Sequence, residues 1–466
     1  MSGGTEIALL IADATSLPNS IESARETGLI FLNGLPDVQK AIVLCERAEV
    51  VYGIEYGRDL KTILNAKVDA AIVQKKSLPD HSSRPCMPPV PQPRSGERLE
   101  VKGRPIPFSF WPSRPGRRHY ALQSLLFALD PWIVIAQSIK QDCPKARRPE
   151  ALACLEQARD FFMAATEPGI VAARPLVLYY GFMNLAKAFC LTRGLRATFD
   201  QAQHGVTERR HPGAKELTGA FLEAFPTPNN IGDPNNFAEF MLVLTGQNLA
   251  AKTNYDVPML LPQVVPGHRL WAQATKKTER FIALHDIQFW HDHPARQMWL
   301  RFYFVRDDLS RLGVTHQRLL TESNLGNLLK EVDCRDKHDD RDLICFEQTT
   351  PHTYAHYPVD EFHHLVALVR PSLWVTVATV PPYRRYYVYL CPTAERPFVL
   401  PQLLSIYAIT FYLGSITRYR PHHYDAIATT GFGPRVQEFI TGQPLQFLYL
   451  MGSEFAKQDV TKPSII

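Results

Sequence analysis

The chain has 466 residues, 45% of them apolar and 21% charged, a composition that excludes a disordered or fibrous protein and allows two or three domains around a large core. Its net charge of +5 is small for this length, so any attraction to polyanions has to be local. Eight cysteines without a CxxC pair or regular spacing exclude a zinc ribbon or disulfide framework and are expected to be reduced thiols of a cytoplasmic protein.

The opening MSGGTEIALLIADA sets Glu6 and Asp13 around a short apolar run, with no basic segment before it. A signal peptide is therefore not expected. Residues 1–75 alternate short apolar runs (EIALLIAD, GLIFLN, AIVLCE, VVYGIEY, VDAAIVQ) with amphipathic stretches at 21–27 and 59–66. This reads as a small α/β module of strands and short helices. It lacks a glycine-rich phosphate loop, since Gly53 and Gly57 have the wrong context.

Residues 76–117 are predicted to be a basic, proline-rich linker, because ten prolines fall between Pro79 and Pro115 and that density favours extended, semi-rigid backbone. Ten basic and three acidic residues lie between 75 and 118, a local net charge of +7. Arg94, Arg98, Lys102, Arg104, Arg117 and Arg118 are therefore candidate contacts to nucleic-acid phosphates.

Residues 118–466 are expected to form an α+β body, a helical bundle with an inserted antiparallel sheet. Helical periodicity runs through 122–140 and 151–166, and residues 176–191 are apolar on nearly every side, as in a helix buried all round. Tyr180, Asn184 and Lys187 interrupt that rod at i, i+4 and i+7, forming one polar stripe, and His204 follows closely enough to fold over it. A lysine so placed pairs, snorkels or meets an anion. The stripe therefore reads as a polar network or as a ligand pocket.

The run RPLVLYYGFMNLAKAF with His204-Gly205, and the later LLSIYAITFYLGSITRYRP ending at Pro421, resemble the signature of the YaaC-like bacterial proteins over about residues 111–466. The resemblance implies the family and carries with it no activity and no catalytic residue.

Residues 206–235 read as loop around one short helix at 214–225, with helices following at 237–248 and 270–284. Strands are predicted at MWLRFYFVR, LICFEQT, LVALVR, LWVTVATV and RYYVYL, then helices at 403–418 and near 435–440. Residues 400–416 include Pro401, Gln402, Ser405, Thr410 and Ser415, so they read as a buried core helix and no membrane partner is expected.

Three further constellations carry chemistry. His352, His356, Asp360, Glu361, His363 and His364, with His291 and His293 upstream, hold metal-ligand types. Pro351 and Pro358 argue for a polar loop there, and no metal or cofactor is expected. Arg311 with His316, and Arg418 with His423, are similar in spacing to the Arg-x4-His pair of HEPN-type ribonucleases, although Leu312 and Tyr419 replace the polar residue usual after the arginine. Arginines also interleave with aromatics in SRPGRRHY, in YRRYYVY with Arg384 and Arg385, and in RYRPHHY, a mixture suited to single-stranded nucleic acid or nucleotides. The sequence thus reads as a nucleic-acid or phosphorylated-nucleotide binding or sensing protein. A metal-independent ribonuclease effector, or a structural partner in a multi-protein assembly, are its alternatives.

Overall fold

The computed structural model describes residues 10–12, 29–32, 49–52, 90–112, 125–213, 217, 219–227, 233–265, 268, 271–272, 275–333, 341–380, 385–392, 395, 398–430 and 433–462. The chain divides into two compact units, Met1–Pro89 and Val90–Ile466. In the first, β1 (Leu10–Ala12), β2 (Leu29–Leu32) and β3 (Glu49–Tyr52) pair in parallel, with Ile30 opposite both Leu10 and Val50. Parallel neighbours require crossover connections, as an α/β module does. The helices expected at 21–27 and 59–66 and the strands expected at AIVLCE and VDAAIVQ lie outside the described residues.

The second unit begins inside the expected linker and corrects it. Strand β4 (Glu97–Arg98) pairs with the strand Asp286–Asp292, and β5 (Glu100–Val101) and β6 (Arg104–Pro105) form a small hairpin whose turn, Lys102-Gly103, has positive φ at both residues. Leu99, Phe108, Phe110 and Trp111 are buried in the core. Proline removes only its own N–H; between the prolines this segment carries enough apolar side chain to fold against the body.

Strand β7 (Leu125–Phe127) leads to three helices, α1 (Pro131–Asp142), α2 (Arg148–Thr166) and α3 (Arg174–Arg193). Asp130 caps α1 by accepting the Trp132 N–H at 3.0 Å, with Pro131 at the first helical position. In α3 every residue from Gly181 to Ala186 and from Ala188 to Thr192 is buried, as the all-round apolar pattern requires.

Beyond α3, β8 (Val206–Arg210), β9 (Ala220–Ala224) and β10 (Thr253–Asp256) form an antiparallel sheet in the order β10-β9-β8, with α4 (Asn236–Thr245) between β9 and β10 in sequence. The helix expected over 214–225 is thus a strand at its C-terminal end. Ala220, Leu222 and Ala224 are buried and Phe221 and Glu223 are not, a period of two.

After the single turn α5 (Val257–Leu260) come β11 (Phe281–Leu284), β12 (Asp286–Asp292) and β13 (Gln297–Val305), then α6 (Arg306–Arg311), α7 (His316–Glu322), β14 (Leu329–Val332), β15 (Leu343–Gln348) and β16 (His352–Thr353). The main antiparallel sheet has the order β14-β15-β13-β12-β4, with β16 beside β13. Residues 281–284, expected to end a helix, are strand β11.

Helix α8 (Pro358–Thr376) replaces both the loop expected at the histidine cluster and the strand expected at LVALVR. Pro358 starts it, Asp360 and Glu361 sit in its first turn where the helix dipole favours acids, and Phe362, Leu365, Val366, Val369 and Leu373 are buried at three and four spacing. Strands β17 (Val377–Val380) and β18 (Arg385–Tyr389) then join β11 in a third antiparallel sheet. The chain closes with α9 (Gln402–Tyr419), α10 (Pro421–Ala428), α11 (Gly433–Ala456) and β19 (Asp459–Thr461), the last parallel to β7.

The result is an α+β body. Its helical core has α3 against α2, α9 and α11, marked by the stacked rings of Phe182 and Phe447 at 4.0 Å. Among the described residues no helix is long and apolar enough to cross a membrane.

Candidate functional site

Helices α3 and α9 come close together at Gly414. A Cβ there would lie 3.0 Å from both the Pro175 carbonyl oxygen and Tyr179 Cβ, so glycine lets the two backbones approach. Around it α9 projects Phe411, Ser415 and Arg418, at i, i+4 and i+7, toward the turn of α3 that carries Tyr179 and Tyr180. Phe411 meets the Tyr179 ring edge-on at 5.0 Å.

The third wall is the segment leading into β8. The Gln203 N–H donates to the Pro234 carbonyl at 3.0 Å, and the Asn236 and Phe237 N–H groups donate to the carbonyls of Gln203 and His204 at 2.9 and 3.2 Å. Gly205 has φ +72°, and a Cβ there would come within 2.6 Å of Asn235 Cβ. The His204-Gly205 pair is thus a fixed presentation of the imidazole, with glycine required by both conformation and contact.

These elements enclose a cleft of about 160 Å³, lined by Tyr179, Tyr180, His204, Glu208, Phe411, Ser415 and Arg418 together with Leu176 and Val206. The Tyr179 hydroxyl lies 2.5 Å from His204 Nδ1. Burial pushes the Tyr179 phenol well above its ordinary value, so it keeps its proton, and the same hydroxyl also lies 3.5 Å from Met183 Sδ. Where the phenol is the donor to Nδ1, the ring hydrogen of neutral His204 is on Nε2. Burial, followed by the charges of Lys187 and Arg418, holds the imidazole below its ordinary range, with Glu208 opposing.

Arg418 Nη1 donates to the Tyr180 hydroxyl at 2.6 Å, and its guanidinium lies 4.9 Å from the Tyr419 ring centroid. Ser415 Oγ donates to Glu208 Oε2 at 2.7 Å. Among the described residues neither Arg418 nor Glu208 makes an ion pair. One cleft therefore holds a cation and an anion, each steadied by a neutral hydroxyl instead of by the other.

Of the residues singled out in the sequence, Tyr180 and His204 line this cleft and are joined by Arg418, which the sequence had grouped with His423. Asn184 is buried in α3 away from the lining, at 6% exposure. Lys187 is half-buried, and its charge acts on both His204 and Cys154, whose thiol burial raises to about 11. Tyr179, Glu208, Phe411 and Ser415 escaped the sequence reading. Tyr179 stood beside Tyr180 in the same motif, whereas Glu208 shows no signal until β8 exists.

Of the Arg-x4-His pairs, the first is engaged outside this cleft. Arg311 pairs with Asp308 at 3.0 Å, and His316 Nδ1 lies 2.8 Å from Glu331. His423 opens on α10, where burial and then Arg210, His422 and Arg420 hold it below its ordinary value, while Arg418 on α9 is bonded to Tyr180. Of the candidate phosphate contacts, Arg94 bonds the carbonyls of Gln348 and Thr349 and pairs with Glu347 at 3.3 Å, and Arg98 pairs with Asp286 at 3.1 Å. Lys102 and Arg104 are exposed on the β5–β6 hairpin. Arg117, Arg118 and Arg384 lie outside the described residues, and Arg385 opens β18. In the histidine cluster, His352 is on β16, His356 precedes α8, Asp360, Glu361, His363 and His364 are on α8, and His291 is on β12 with His293 in the turn that follows. Among the described residues no three metal-ligating side chains converge.

A family model described as YaaC-like Protein matches residues 116–455. No curated protein and no solved structure matches the chain.

Proposed function

This chain belongs to the YaaC-like family, and within it we propose a protein that binds and senses a phosphorylated nucleotide in the cleft between Tyr180, His204 and Arg418. The observation that carries the reading is Arg418 itself, an exposed guanidinium held by the Tyr180 hydroxyl and free of any carboxylate among the described residues. A guanidinium so held keeps donors for a phosphate. His204 adds an N–H from Nε2, and the rings of Tyr179, Tyr180 and Phe411 line the space beside it, a surface on which a flat base stacks. A single strand tracked by residues 76–117 has weaker support, because Arg94 and Arg98 are committed to Glu347 and Asp286.

Isothermal titration with nucleoside diphosphates, the matching nucleosides and a single-stranded oligonucleotide tests the proposal. Diphosphates should bind and nucleosides should bind at least ten-fold more weakly, with Arg418→Ala removing the difference. Oligonucleotide binding that survives Arg418→Ala would move the ligand to another surface. Cleavage of labelled RNA that is lost in His423→Ala would establish the ribonuclease alternative instead.

A further inference from the structure

Resting on the nucleotide reading of this cleft, we infer that Glu208 makes the site selective for guanine over the other bases. Glu208, on β8, lines the cleft together with Arg418 and carries the opposite charge, and its Oε2 accepts from buried Ser415 at 2.7 Å. A carboxylate has about four lone-pair sites. One is used by Ser415, and no cation among the described residues takes the others as an ion pair. The carboxylate is therefore an acceptor-only group with unused capacity, fixed in orientation by Ser415.

The shape of the lining selects a base. Leu176, Val206, Tyr179 and Phe411 give an apolar, aromatic wall, which suits a flat heterocycle better than a sugar. At about 160 Å³ the space is well below the ~300 Å³ at which pockets for whole drug-sized ligands begin. A base enters, and the sugar and phosphates stay at the mouth with Arg418.

Among the bases, guanine alone presents two adjacent donors, N1–H and the N2 amino group, to one carboxylate. Adenine sets an acceptor, N1, beside its N6 donor, cytosine sets N3 beside its N4 donor, and uracil flanks its one N–H with carbonyls. An acceptor-only carboxylate meets each of those with a repulsive atom, and an unmatched polar edge costs binding.

The test is titration of the full chain with GDP and with ADP, for wild type, Glu208→Gln and Ser415→Ala, with melting temperatures checking that each variant folds. GDP should bind wild type about ten-fold or more tightly than ADP, as two matched hydrogen bonds to a base edge discriminate. In Glu208→Gln the GDP-to-ADP ratio should fall to about one. Ser415→Ala, which only loosens the carboxylate, should lower the ratio by a smaller factor and carries the test should Glu208→Gln fail to fold. Equal affinity for GDP and ADP, with both lost in Arg418→Ala, would overturn the guanine selectivity and leave the nucleotide reading standing. Binding of neither would remove both.

Discussion

The Tyr179 hydroxyl and His204 Nδ1 stand 2.5 Å apart across 25 residues of chain, and that bond fixes which face of the imidazole offers a hydrogen to the cleft. Tyr179→Phe removes the hydroxyl of that bond. His204 is half-buried, so water partly replaces the lost partner and stability should fall by about 1 kcal/mol. The ring should then mix its two tautomers, which nitrogen-15 shifts of the imidazole report. Unchanged shifts would mean that the phenol does not set the tautomer.

Acid should weaken the fold through its buried histidines. His268 is 3% exposed, donates from Nδ1 to the Pro262 carbonyl at 2.8 Å and accepts the Arg280 N–H on Nε2 at 2.7 Å. Burial lowers its pKa to about 4. An unfolded histidine titrates near 6.5, so the unfolded chain takes the proton first as pH falls. The contribution is complete above about pH 6.5 and is lost between there and about 4, to the extent of ~3 kcal/mol. His204 and His291, also held down by burial, act in the same direction, and Glu454, whose carboxyl burial raises, acts against them. Urea unfolding of wild type and His268→Gln from pH 7 to 5 isolates the term. The variant should be less stable at pH 7 and show the shallower slope, and parallel slopes would count against a neutral His268.

Arg94 and Arg98 should behave as parts of the fold. Arg301 and Glu347 pair at 3.0 Å with 3% and 0% of their side chains exposed, and Arg94 joins them from the edge. Arg301→Met leaves the Glu347 charge buried with only Arg94 opposite, which should cost about 3 kcal/mol. Arg94→Gln should cost ~1–2 kcal/mol through its bonds to the carbonyls of Gln348 and Thr349. Arg98→Gln, in a pair one-third exposed on each side, should cost under ~0.5 kcal/mol. Thermal melts of the three variants give the order, and a negligible effect of Arg94→Gln would restore a free linker.

What could be read from the sequence was whatever one element decides alone. Helix α3 was legible because burial on all sides leaves an apolar run too long for a strand, and α9 for the same reason. LVALVR was not, since a six-residue apolar run suits a strand or a buried helix equally, and only the continuation from Pro358 to Thr376 decides for α8. Residues 90–112 misled because proline density reports lost donors and is silent on Leu99, Phe108 and Phe110, whose partners lie far along the chain. The cleft was half visible. Tyr180, His204 and Arg418 each drew notice, but their convergence depends on the α3–α9 crossing, which no local pattern encodes.

That crossing should be sensitive to a single methyl group. Gly414 sits where an added Cβ would be 3.0 Å from the Pro175 carbonyl oxygen, 3.0 Å from Tyr179 Cβ and 3.3 Å from Leu176 Cα. Two of these three neighbours are backbone atoms of α3, so little can yield except the spacing of the helices. Gly442 is a useful contrast: it is an exposed glycine inside α11 with no neighbour nearer than the Glu438 carboxylate at 3.9 Å. Alanine at a helical glycine with room for it stabilises by about 0.5–1 kcal/mol, since the unfolded chain loses freedom and the helix gains propensity. Gly442→Ala should therefore raise the melting temperature. Gly414→Ala gains the same propensity but over-packs a core contact, a penalty of ~1–3 kcal/mol, so its net effect should be destabilising. It should also push Arg418 and Ser415 away from Tyr180 and Glu208, weakening ligand binding beyond what the stability loss explains. Melting curves and diphosphate titrations on the two variants check both signs. A Gly414→Ala protein as stable and as competent in binding as Gly442→Ala would mean that α3 and α9 are not in the close contact on which the cleft depends.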